Sequence, residues 1–186
     1  MIPSVSETAK GAIAAFRLAR FDGSAASVFT NDRGAAMRSF WAMAPAYPIA
    51  LLILASATGD GADPLRWAAV MTIAFVIDWT AYLLMVSQIA QAFRRDDRLF
   101  AFVSAHNWSQ FAAYMIYLIT MSVDAAIGGM TNGLFIFGVQ LYLLAFQGFV
   151  AMALLGFTAV AAFGLILLAL MINGMTYFVA LGVLGA

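Results

Sequence analysis

GLFIFGVQLYLLAFQGFVAMALLGFTAVAAFGLILLALMINGMTYFVALGVL, residues 133–184, carries no charged side chain in 52 residues. One membrane-crossing helix needs roughly 20 predominantly apolar residues. The stretch is therefore too long for a single crossing and long enough for two. No polar loop divides it, so the break is placed at residues 154–157, where Gly156 interrupts the bulky apolar run. That gives spans at 133–153 and 157–181.

Working towards the N-terminus, three more apolar runs of the required length follow, at 99–123, 66–93 and 37–57. The chain of 186 residues is 65% hydrophobic and only 10% charged, with a mean hydropathy of +0.95. Soluble domains average about 25% charged residues, and this chain lacks the polar side chains to cover a globule. The expected class is an all-α integral membrane protein of about five transmembrane helices. A short cytoplasmic amphipathic segment, residues 1–36, precedes the transmembrane domain of residues 37–186.

Charge placement predicts orientation. Lys10, Arg17, Arg20, Arg33 and Arg38 precede or open the first span, and Arg94, Arg95 and Arg98 lie between spans two and three. With five spans these eight fall on one side, and Arg66 alone falls on the other. The positive-inside rule then puts the N-terminus in the cytoplasm and the C-terminus outside. A multi-pass protein of the inner (cytoplasmic) membrane is expected, and MIPSVSETAK does not read as a cleavable signal peptide.

Within residues 1–36, Ile13, Phe16 and Arg20 fall on one helical face, which suits a helix lying on the membrane surface. Asp22-Gly23 interrupts it, and Thr30 or Asn31 is placed to cap a second helix. Arg17, Arg20, Arg38, Trp41 and Trp108 are the expected interfacial anchors, with Phe40 beside them. Pro45 and Pro48 remove backbone donors inside span one and predict a kink. Gly129 and Gly133, in GMTNG, have the GxxxG spacing that permits close helix approach.

The polar residues inside the spans are the candidate site. A charge at mid-bilayer costs on the order of 2.5–3.5 kcal/mol on insertion scales, and Asp78, in FVIDWTAYLL, sits near the middle of span two. It reads either as a proton or cation site or as a neutral acid bonded to a neighbouring helix, the second being favoured. FVSAHNWSQF, residues 102–111, holds the single histidine, His106, with Asn107, Ser109 and Gln110. An antiparallel hairpin of spans two and three offsets Asp78 from His106 by roughly 12 Å. Two polar layers are therefore expected. Asp78 meets Tyr114, with Tyr117 nearby, in the deep one; His106 meets Ser87 and Gln88 in the shallow one. Gln140, Gln147 and Asn173 are expected to bond between spans four and five.

At RLARFD (residues 17–22), MRSFWA (37–42) and HNW (106–108) the chain resembles an uncharacterised family of small bacterial multi-span membrane proteins. Its layout also resembles the Yip superfamily of five-span proteins. The resemblance implies membrane residence, five helices and a role in organising other proteins, and it supplies no catalytic residue. His106 departs from the aromatic more usual before that asparagine.

No cysteine is present, which excludes disulfides and thiolate chemistry. No metal-ligand spacing, phosphate-binding glycine loop or nucleophile motif is found, so no enzyme activity, metal or cofactor is expected. The balanced charge gives no reason to expect nucleic acid. The expected partners are membrane lipid and other membrane chains, as a homo- or hetero-oligomer. The leading expectation is a non-enzymatic accessory or scaffold subunit. The alternatives are a small transporter or proton-coupled component using Asp78, and a pigment or haem contact through His106.

Overall fold

The computed structural model describes residues 2–58, 63–129 and 133–185. Seven α-helices account for most of them: α1 Val5–Ala19, α2 Arg33–Ser39, α3 Met43–Thr58, α4 Pro64–Ala92, α5 Leu99–Ala126, α6 Leu134–Leu155 and α7 Ala159–Leu184. No strand occurs among the described residues. Four helical stretches are long and apolar enough to cross a membrane: Arg33–Ser56, Pro64–Ala92, Leu134–Leu155 and Ala159–Leu184. The 28-residue α5 is as long as these, but the polar groups in its first half keep it outside that set.

The helix ends follow from local chemistry. Pro64 opens α4 where a missing N–H costs nothing, and Asp63 Oδ1 accepts from Arg66 N at 2.9 Å. The charge-free run divides at Gly156, which caps α6 with φ +66°, a left-handed conformation that glycine adopts freely. Thr158 then caps α7 through Ala161 N. Pro45 falls in the first turn of α3 and Pro48 lies inside the helix. The irregular backbone comes earlier, in the 3-10 turn Phe40–Ala42 that joins α2 to α3.

Two local expectations are corrected. The cap of α2 is Asp32, whose Oδ2 accepts from Ala35 N at 2.6 Å, rather than Thr30 or Asn31. Asn31 instead caps α5 from a distance in sequence: its Oδ1 accepts from Phe100 N and Ala101 N, and its Nδ2 donates to Asp97 O. Gly129 and Gly133 are turn residues with φ of +67° and +78°, and no neighbouring atom stands within 4 Å of where a Cβ would lie. Residues 130–132 between them lie outside the described residues, as do residues 59–62 of the first loop.

On α1 the three residues expected to share one face are the outward ones. Ile13, Phe16 and Arg20 are exposed, and the opposite face is buried: Gly11, Ala14, Ala15, Leu18 and Ala19. Small side chains let the α1 backbone approach α5 closely, which three bulky residues on that face would prevent. Ala14, Ala15 and Leu18 share one buried cluster with Val86, Phe102 and Phe146, so packing is continuous across residue 36. After α1 the chain turns through Phe21, at φ +58°. Its ring packs edge-on against Tyr142 and Phe149 of α6, and Tyr142 OH donates to Ala19 O.

α5 is the hub. It packs against α1, α2, α3 and α6, while α4 packs chiefly against α7. Residues 104–109 of α5 are all buried, which explains how a polar segment is tolerated there: α1 and α2 cover the side that would otherwise meet an apolar solvent. α4 and α7 run antiparallel, with Arg66 donating to Val183 O at one level and Asn173 facing Asp78 further along.

Candidate functional site

The polar residues of α5 divide by face. Asn107 has no exposed surface and bonds to α2 and α4. Its Oδ1 accepts from Trp79 Nε1 at 2.7 Å, and its Nδ2 donates to Ser39 Oγ at 2.9 Å. Ser39 Oγ in turn donates to Ala36 O. One amide thus ties three helical segments together with both of its polar atoms satisfied. Neither Trp79 nor Ser39 was singled out in the sequence. A tryptophan in mid-span, far from the interfaces where this residue concentrates, was the available signal.

His106 is buried between two rings. Tyr82 lies 4.8 Å away, centroid to centroid, and Phe102 5.6 Å away. Gln110 Nε2 is 3.4 Å from His106 Nε2, one turn along the same helix. Ser87 and Gln88 do not reach it: Ser87 Oγ donates back to Leu84 O, and Gln88 is exposed.

Asp78 is half-buried. Its Oδ2 accepts from Asn173 Nδ2 of α7 at 3.3 Å. Tyr114, the expected partner, instead stacks on Trp79 at 6.3 Å with planes 17° apart. The antiparallel α4–α7 pairing explains the difference, since α4 presents its polar face to α7 more than to α5. The amides of the last two helices accordingly reach outward: Gln140 donates to Tyr117 of α5 and Asn173 to Asp78 of α4, and neither joins α6 to α7.

These groups converge. A cavity of about 470 Å³ is lined by Asp78, Trp79 and Tyr82 of α4, His106, Gln110, Tyr114 and Tyr117 of α5, Gln147 of α6, and Asn173 and Tyr177 of α7, with apolar walls from α3, α6 and α7. The two expected polar layers are therefore one cavity. Asp78 and His106 both face it without bonding to each other. Aliphatic side chains and five aromatic residues make up most of the walls, and Asp78 is the single carboxylate among the lining residues. No cluster of three His, Cys, Asp or Glu suited to a metal ion occurs among the described residues.

The five expected anchors have varied surroundings. Arg38 Nε donates to Glu7 Oε1 at 2.8 Å and Oε2 at 3.0 Å, tying α2 to α1. Arg17 pairs with Asp22 at 2.7 Å and donates to Ser24 Oγ. Hydrogen bonds from Ser24 and then Arg17 hold the Asp22 carboxyl below its usual range. Arg20 and Trp41 are exposed. Trp108 is not: it is 6% exposed and lies beneath Gly11 of α1.

A second cavity of about 420 Å³ opens between α1, α2 and α5, lined by Glu7, Lys10, Arg38, Ser39, Ser104 and Trp108 among others. Ser104 Oγ is buried there without a hydrogen-bond partner among the described residues, as is Ser109 Oγ elsewhere on α5. No family model, no curated protein and no solved structure matches the chain.

Proposed function

We propose that this chain is a non-enzymatic, multi-pass membrane protein that takes a small polar solute into the cavity between α4, α5 and α7, with Asp78 as the binding group. The observation that carries this reading is convergence. Polar side chains drawn from four of the long helices, Asp78, His106, Gln110, Gln147 and Asn173 with four tyrosines, line one space of ligand size. Small-molecule pockets commonly have this form, a mostly apolar wall with a few placed polar groups, and intramembrane ionisable residues mark solute paths.

In this reading α5 is the fifth crossing, shielded from lipid by α1 and α2. The eight-to-one distribution of Lys and Arg supports a cytoplasmic N-terminus and residence in the inner membrane. The likeness to an uncharacterised family of small bacterial multi-span proteins accords with this picture. A pigment at His106 draws no support from the contacts around it, since the Tyr82 and Phe102 rings pack against the imidazole and Nε2 lies 3.4 Å from Gln110 Nε2.

Native mass spectrometry of the chain released from membranes tests the reading. A small-molecule adduct that disappears in a correctly folded Asp78→Asn variant is expected. An adduct-free protein, or adducts indifferent to Asp78, would contradict it.

One observation favours the accessory-subunit reading as well. α7 exposes Leu167, Met171, Met175 and Phe178 along its length, a surface apolar enough for lipid or for another chain. Stoichiometric comigration with a large complex on a native gel would support the latter.

A further inference from the structure

Building on the reading of the cavity as a binding site, we propose that its ligand is an organic monocation, a small amine or quaternary ammonium with an apolar body. Among the described residues Asp78 is the only formally charged group lining the cavity, and none of the nine Lys and Arg residues lines it. Its hydrogen-bond partner among the described residues is the neutral amide of Asn173. A carboxylate has roughly four acceptor positions, so most of its capacity faces the cavity. A partly buried charge without a counter-charge is costly, and here the protein supplies none.

The walls say what kind of cation would complete the site. Trp79, Tyr82, Tyr114, Tyr117 and Tyr177 line the space around the carboxylate. Aromatic faces attract ammonium groups, and the attraction grows to about 2 kcal/mol or more when water is excluded. A monatomic cation wants a shell of oxygen ligands, about six for the hard divalent ions, whereas this lining is chiefly aliphatic and ring carbon. An anion would meet Asp78 with no positive group to offset it. The cavity, about 470 Å³, lies within the roughly 300–1,000 Å³ of ordinary small-molecule sites.

The test uses the full chain in a neutral detergent, titrated calorimetrically with phenyltrimethylammonium and separately with tert-butylbenzene. The two share a shape and differ in nitrogen against carbon, hence in charge. The cation is expected to bind about tenfold tighter or more, to lose that advantage in Asp78→Asn and to keep part of it in Asp78→Glu. Equal binding of both probes would overturn the cation class while leaving the cavity as a binding site. Displacement of the cation by an equimolar amount of sodium would also overturn it, in favour of a monatomic ion. If neither probe binds a protein that elutes as a single folded species, the reading of the cavity as a binding site falls too.

Discussion

A Cβ at Gly11 would lie 2.5 Å from Trp108 Nε1. The first helix therefore seats on the hub helix through a glycine laid over an indole, and the contact admits no larger residue without movement. Gly11→Ala gains about 1 kcal/mol of helix propensity. It must also displace a buried ring, and overpacking of this kind costs about 1–3 kcal/mol. The expected net effect is a lower unfolding temperature in detergent. Trp108→Phe removes the clashing part of the ring, so the double variant should recover stability relative to Gly11→Ala alone. Additive losses in the two single variants would show that α1 does not seat this way.

Asn107→Leu strands the Trp79 indole N–H, while the Ser39 hydroxyl keeps its bond to Ala36 O. Buried groups stranded in this manner cost about 1–3 kcal/mol each, more than the 0.6 kcal/mol or so typical of a single interhelical contact in a membrane. Chemical denaturation should show a loss in that range. Asn107→Asp keeps an acceptor for Trp79 and should lose less; an equal loss in both would rule out the indole bond as the main contribution.

Gly156→Ala forces a side chain into the left-handed conformation, a penalty of about 1–2 kcal/mol. Its Cβ would also meet Arg98 Nη1 at 2.7 Å, but that arginine end can swing aside. Thermal scanning should therefore show a loss of that size, unchanged in an Arg98→Ala background. Full recovery in that background would mean contact, not backbone strain, sets the cost.

The Arg17–Asp22–Ser24 cluster should resist acid. Because the Asp22 carboxyl is held below its ordinary 3.8, its contribution is fully present above that value and is lost as pH falls through the lower folded-state pKa. Titration of the Asp22 carboxyl resonance should give a midpoint under 3.8, moving upward in Ser24→Ala. A midpoint at or above 3.8 in the unaltered chain would contradict the bonding.

The helices were legible because their lengths and breaks depend on local chemistry. Residues 133–184 had to divide near their middle, and Gly156 there suits a left-handed cap. What the sequence could not show was pairing. Small residues on α1 read as a weak stripe until a partner surface is known, and Trp108 read as an anchor for the same reason. The expected Asp78–Tyr114 contact assumed that helices adjacent in sequence pack face to face. In the fold α4 turns to α7, so Asn173, 95 positions away, takes the place given to Tyr114. Trp79 and Ser39 went unnoticed because only the fold brings them to Asn107.

Cysteine labelling in this naturally cysteine-free chain tests the central claim most directly, that Asp78 faces a polar, reachable cavity inside a membrane-embedded bundle. Asp78→Cys and, at a similar level on the outer flank of α7, Met175→Cys would be reconstituted in lipid vesicles and exposed to a small trimethylammonium thiosulfonate reagent. Reaction at position 78 at least about tenfold faster than at 175 is predicted, since a thiol facing lipid stays protonated and inert. Equal, slow reaction at both positions, with full labelling after denaturation, would contradict it.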